Sequence, residues 1–230
     1  MIPLRDSTKS ESFPLITILL ILLNLSIYLF EAQLDQQALS TLVTVWGLTP
    51  VHLTTAFPLH VPSILPTFFS AMFLHSSWAH VIGNMWMLWL FGDNVEDKMG
   101  KLRYVAFYFV CGILASLMHC LIFPSSAVPV IGASGAVSGI MGAYFLLFRR
   151  ASILTWIFPV FFVPIPAFVY LGLWGVSQFF SGTTGLFHTA SVGGSVAFWA
   201  HIGGFAAGMF LHRFFLKTGH SPNQHSVSYR

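Results

Sequence analysis

The sequence predicts an all-α membrane protein, a polytopic bundle of six transmembrane helices with both ends on the cytoplasmic side. Three observations carry that reading. The 230 residues are 56% hydrophobic and only 7% charged, with a mean hydropathy of +0.78, too little polar surface to cover a soluble globule. Apolar runs of roughly spanning length recur along the chain, a span needing about 20 residues. All ten Lys and Arg fall on one side if six such runs cross the bilayer, as the cytoplasmic preference of basic residues requires.

Residues 1–13 read as a short cytoplasmic segment holding Arg5 and Lys9, and Pro14–Phe30 as the first span. That run is long for the apolar part of a signal peptide, and its removal would leave an odd number of spans, so it is expected to be retained. Glu31–Ala79 follows as the longest connection. It contains no Lys or Arg and is rich in Pro and aromatic residues, a composition that suits the outer membrane interface. The second span, His80–Leu90, looks short. Lys98, Lys101 and Arg103 then mark the cytoplasmic side before the third span, Tyr104–Phe123. Cys111 and Cys120 lie nine apart on that span, on nearly opposite faces, and cannot pair in a straight helix.

The fourth span, Ser134–Phe148, is the informative one. Fifteen helical residues cover only about 22 Å of a roughly 30 Å hydrocarbon core. With Arg149 and Arg150 at the cytoplasmic surface, Ser134 lies below the outer one, and the connection Pro124–Ala133 must dip inward. Non-helical backbone at that depth needs protein or a water-filled cavity around it. A wet recess ending on Ser134 is therefore expected. Ile157–Phe180 is the fifth span, with Pro159, Pro164 and Pro166 breaking its start, so that its helix begins near Ala167. Val196–Leu216 is the sixth, and residues 218–230 form a polar cytoplasmic tail. The six spans and their connections make one domain, residues 14–217, and the net charge of +3 follows from the cytoplasmic bias without a nucleic-acid partner.

Two polar residues stand out in this apolar setting. Ser134, within Gly132-Ala133-Ser134-Gly135, sits at a helix N-terminus, where unpaired N–H groups and the positive dipole end can stabilise an oxyanion. The same position also favours serine as a plain N-cap. His201, in the sixth span, has the pKa range of a base near neutrality, although a lone polar residue in a span also serves as interhelical glue. Gly132, Gly135 and Gly139 on one side and Gly204 and Gly208 on the other have the small-residue spacing of close helix packing. Such packing would let a serine and a histidine meet. His80 and Asn84, at i and i+4 on the second span, share one face at its outer end and could donate to an oxyanion, or simply join helices. All seven acidic residues precede residue 98 and none lies midway in a span, so the pattern offers a Ser-His dyad rather than a triad. His119 is the rival base. No His-Glu-x-x-His or other metal-ligand spacing occurs, and no metal or cofactor is expected.

His80-Val81-Ile82-Gly83-Asn84, Phe91 to Asp97, Gly132-Ala133-Ser134-Gly135 and Ala197 to Gly208, in that order, resemble the rhomboid family of intramembrane serine proteases. The resemblance runs from about Phe69 to Leu216. It implies a bacterial-type six-helix core, resident in the cell membrane if the source is bacterial, with Ser134 as nucleophile and His201 as base. It likewise implies an oxyanion site of His80, Asn84 and the Ser134 N–H, and other transmembrane proteins in the lipid bilayer as substrates. The alternative is a non-catalytic rhomboid-like protein that binds membrane clients. Two positions depart from the family's pattern. The first outer loop has Trp46 without the arginine that often accompanies such a tryptophan, and Ser138 stands where some members stack a tyrosine on the histidine.

Overall fold

The structure, a computed structural model, describes residues 1–55, 61–187 and 197–217, with side chains omitted at 61–63 and 185–187. The expected polar tail 218–230, the stretch 188–196 and with it the expected start of the sixth span at Val196 lie outside the described residues.

Six long helices dominate. The first, α1 (Leu15–Glu31), begins after Pro14 and has no side-chain cap of its own. The carboxylate of Glu96 takes that role, accepting the N–H groups of Ile16 at 3.1 Å and Thr17 at 2.9 Å and the Thr17 hydroxyl at 2.9 Å. A first turn buried without acceptors would cost about 1–3 kcal/mol per group.

The long connection after α1, expected to lie at the outer interface, is largely helical. It comprises α2 (Gln36–Trp46), capped by Asp35, then α3 (Pro50–Thr55), α4 (Val61–Ser70) and a 3₁₀ turn at Ala71–Phe73. Trp46, 47% exposed, is not its anchor. Leu48 is, fully buried with Ile64, Phe68, Ala71 and Cys120 and bridged antiparallel to Val130.

The next helix, α5 (Trp78–Met99), starts at Ser77, whose hydroxyl accepts the His80 N–H. It runs 22 residues, twice the expected His80–Leu90. Hydropathy ends the span where polar residues begin, but Asn94 and Glu96 are buried with partners on other segments and the helix continues through them. Gly100, at φ +78°, then turns the chain directly into α6 (Lys101–Ile122). The positive φ favours glycine there.

The centre of the bundle is α7 (Ser134–Leu147), buried at every residue from Gly135 to Tyr144. It is flanked by α8 (Ala167–Phe187) and α9 (Phe198–Phe215). Three closely packed helices meet through small residues. A Cβ at Gly204 would collide with the Gly135 carbonyl, one at Gly208 with that of Gly139, and one at Gly139 with Cys111. Backbones this close gain dispersion contacts with no side-chain entropy to lose.

The expectation of an all-α chain is corrected by a small antiparallel sheet, ordered β1 (Ile2–Asp6), β2 (Ser152–Ile157), β3 (Phe161–Pro166). Ile2 pairs with Trp156 and Ile153 with Ile165. The first ten residues of the expected fifth span thus supply the turn and second strand of a hairpin that begins at Ser152, and helix begins at Ala167, after the prolines. Asp6 fastens β1 to the bundle, accepting the Asn94 amide at 3.0 Å and the Tyr144 hydroxyl.

By length and composition, α6 is able to cross a membrane, with 22 residues and a mean hydropathy of 2.2, and α1 and α7 are shorter apolar helices. Large apolar side chains stand outward on several helices, among them Leu22, Leu121, Phe180 and Phe210. Such a surface suits hydrocarbon rather than water.

Candidate active site

Ser134 is the first residue of α7, and the cap position belongs to Ala133, in the αR region with no side-chain cap hydrogen bond. The hydroxyl of Ser134 is therefore not spent on capping. The first intrahelical bond is Val137 N–H to the Ala133 carbonyl at 3.0 Å. The N–H groups of Ser134, Gly135 and Ala136 precede it and face out of the helix end, where the dipole is positive. A small recess opens here, lined by Met72, Gly112, Ser116, Gly132, Ser134 and Ala200 among others.

The chain reaches Ser134 through a strapped loop. Val130 exchanges hydrogen bonds with Leu48 at 2.8 and 3.2 Å, and the Gly132 N–H donates to the Ala71 carbonyl at 2.8 Å. Gly132 has φ +116°. Its expected role in helix packing is corrected, because it lies in the loop and its missing side chain makes room for an imidazole. A Cβ there would stand 2.7 Å from Cε1 and Nε2 of His80 and 3.7 Å from Nδ2 of Asn84. The edge of the His80 ring and the Asn84 amide thus converge on the loop before Ser134. Ser76 lies on the opposite edge of that ring, 3.2 Å from Nδ1. Asn84 Nδ2 is buried and has no partner among the described residues, a donor held out of water without an acceptor.

His75 completes this wall and was not singled out from the sequence. Nδ1 faces the Phe73 carbonyl at 3.2 Å and therefore carries the proton, so Nε2 accepts from the Ala133 N–H at 3.5 Å. The His75 N–H donates to the buried carboxylate of Glu31 at 3.1 Å, and its ring meets that of His80 edge to face at 5.0 Å. Burial, and secondarily the neighbouring His80, push the His75 pKa down to about 4, so the ring is neutral at neutral pH.

His201 lies on α9, one residue beyond Ala200, whose carbonyl would stand 3.9 Å from a Cβ at Gly135. Gly204, three residues after His201, leaves no room for a Cβ beside the Gly135 carbonyl, so the two backbones touch there. His201 Nδ1 lies 2.8 Å from Oε1 of Gln178 on α8, and the rings of Trp174 and Phe198 lie 6.1 and 6.4 Å away. Ser134 Oγ makes no hydrogen bond to another described residue. Ser138 donates its hydroxyl proton to the Ser134 carbonyl at 2.6 Å. It is buried below Gly204, where only a small side chain fits. His119 packs on Phe123 at 5.1 Å, its Nδ1 buried without a partner among the described residues. Asp93 and Asp97 sit at the other end of α5, next to Asp6 and Ser12 respectively.

A hydroxyl at an open helix N-terminus, an imidazole across a glycine contact and two donors at the approach loop form the parts of acyl-transfer chemistry. Comparison with known proteins gives a consistent picture. The chain is 34% identical over 121 residues to Rhomboid-like protein 11, chloroplastic, of Arabidopsis thaliana, covering 53% of this chain and 38% of that protein. It is 36% identical over 93 residues to Rhomboid protein 1, mitochondrial, of Saccharomyces cerevisiae, covering 38% and 27%. It is 34% identical over 79 residues to Putative rhomboid protease YdcA of Bacillus subtilis, covering 34% and 39%. The chain thus spans less than half the length of these relatives. The family model described as Rhomboid domain matches residues 63–218, from within α4 to past α9 and across every residue that lines the recess, and this chain belongs to the rhomboid family of helical integral membrane proteins.

Proposed function

We propose that this protein is an intramembrane serine endopeptidase that cleaves transmembrane helices near the outer membrane face. Ser134 Oγ loses its proton to His201 and attacks a substrate carbonyl, and the oxyanion is met by the Ser134 N–H, His80 and Asn84. The oxyanion collapses as the peptide C–N bond breaks, His201 returning its proton to the leaving amine, and His201 then takes a proton from water admitted through the recess, which hydrolyses the acyl-enzyme and frees Ser134. In this reading six helices span, with N-terminal and C-terminal segments in the cytoplasm and the recess opening outward. Helical carbonyls are already hydrogen-bonded, so the cut site is locally unwound, with small residues near Gly or Pro.

The observation that carries the reading is the uncapped helix terminus at Ser134, open to a recess and one glycine contact away from the His201 segment. One observation favours the non-catalytic, client-binding alternative, namely that Ser134 and His201 share no hydrogen bond. Catalytic hydrogen bonds in ligand-free enzymes are often long and close only on the substrate, so the observation does not displace the enzymatic reading. The test is Ser134→Ala in proteoliposomes with a fluorogenic transmembrane reporter. Cleavage should disappear while thermal unfolding is unchanged, and cleavage that persists would refute the proposal. A fluorophosphonate should label the parent protein and not His201→Ala.

A further inference from the structure

Among the described residues, the ionisable groups near enough to His201 to act on it are two other imidazoles, His80 on α5 and His119 on α6. Neither is a carboxylate, and Ser138 cannot stack on the ring. Something else must select the tautomer of His201, because a base needs a free Nε2 and therefore a proton on Nδ1. In a soluble triad enzyme, a change that presents the wrong partner to Nδ1 costs about 10⁴ in kcat.

The hydrogen bonds along α8 supply that selection. Ser177 Oγ donates to the Trp174 carbonyl at 2.6 Å, which uses its only proton. Its lone pairs are left to accept, and Gln178 Nε2 lies 3.4 Å away as their donor. The amide is thereby oriented with Oε1 toward His201, at 2.8 Å from Nδ1. An amide oxygen only accepts, so Nδ1 must carry the proton and Nε2 is left as the acceptor. Trp174, four residues before Gln178 and on the same face of α8, lies at 30° to the imidazole plane and limits its tilt. We propose that Gln178, oriented by Ser177, is the positioning residue that fixes the tautomer of His201, in the place a carboxylate or stacking tyrosine would fill. The inference rests on the Ser134–His201 reading above.

The test compares Gln178→Met, which keeps length and removes the acceptor, with Gln178→Glu, which keeps it. Both are made in the full chain in proteoliposomes, with Ser134→Ala alongside. Gln178→Met should lower kcat by about 10²-fold with KM within twofold, since the loss acts through the base rather than through substrate binding. Gln178→Glu should retain at least a tenth of the parent kcat and move the acid limb of the fluorophosphonate-labelling profile to higher pH, because a carboxylate favours the imidazolium. Parent-like kcat in Gln178→Met, or equal loss in both variants, would overturn the assignment. Should Gln178→Met not fold, Ser177→Ala releases the amide, and a kcat drop of several-fold is expected, an unchanged kcat being the refuting result. Cleavage surviving in Ser134→Ala removes the underlying reading and this one together, whereas an inactive Ser134→Ala beside a fully active Gln178→Met removes only this one.

Discussion

Replacing Gly132 by Ala tests whether the approach loop holds the His80 edge where the proposed reaction needs it. Two costs follow from the structure. At φ +116° a residue with a Cβ is strained, by about 1–3 kcal/mol. The new Cβ would also stand 2.7 Å from the His80 ring, and an ordinary contact near 3.4 Å requires a retreat of about 0.7 Å. The loop cannot yield instead without losing the Gly132–Ala71 and Val130–Leu48 hydrogen bonds. Displacement of a donor by such a distance is expected to lower kcat by about 10²-fold, roughly 2.7 kcal/mol in the barrier. The strain should also lower Tm by roughly 2–12 °C. The assay is reporter cleavage in proteoliposomes with thermal unfolding in detergent. Gly83→Ala is the control, because nothing lies within 4 Å of a Cβ there and alanine is the better helix former by about 1 kcal/mol. Gly132→Ala with the kcat and Tm of Gly83→Ala would show that neither the positive φ nor the His80 contact matters.

Gly208→Ala drives a methyl into the Gly139 carbonyl, about one and a half turns from Ser134; overpacking of this kind should destabilise by about 1–3 kcal/mol, read as a lower midpoint in denaturing detergent, and an unchanged midpoint would mean that α7 and α9 are not in backbone contact. His75 gives a pH dependence of defined sign. Its folded pKa, about 4, is below the unfolded value near 6.5, so between these the unfolded chain binds the proton that the folded chain refuses. Stability should fall as pH drops from about 6.5 to 4, by up to about 3 kcal/mol, and His75→Gln should flatten that limb of the unfolding curve.

Much of the layout was legible because the features are local. Glycines at regular spacing, a serine before an apolar run and prolines before Ala167 each act within a turn or two of chain. The features that sequence concealed depend on partners far away. Glu96 carries α5 past its apolar run because the N-terminus of α1, some 80 residues earlier, needs an acceptor. Gln178 reads as one more polar residue in a Phe-rich helix until α9, 23 residues on, brings His201 against it. His75 was one histidine among several in an outward segment, and only the return of the chain at Ala133 distinguishes it. The sheet was hidden for another reason, since apolar residues on both faces of β3 erase the two-residue alternation by which a strand is recognised.

That sheet bears on how the chain is assembled. Ile2 finds its partner only at Trp156, and at roughly 5–20 residues per second of synthesis it waits on the order of ten seconds. By then the chain has emerged through α7. Closing so long a loop contributes nothing until both ends are present. The first strand therefore acts as a late clasp, joining the start of the chain to a hairpin made after the helical core and fastening through Asp6 onto Tyr144 and Asn94 at a time when both helices already exist.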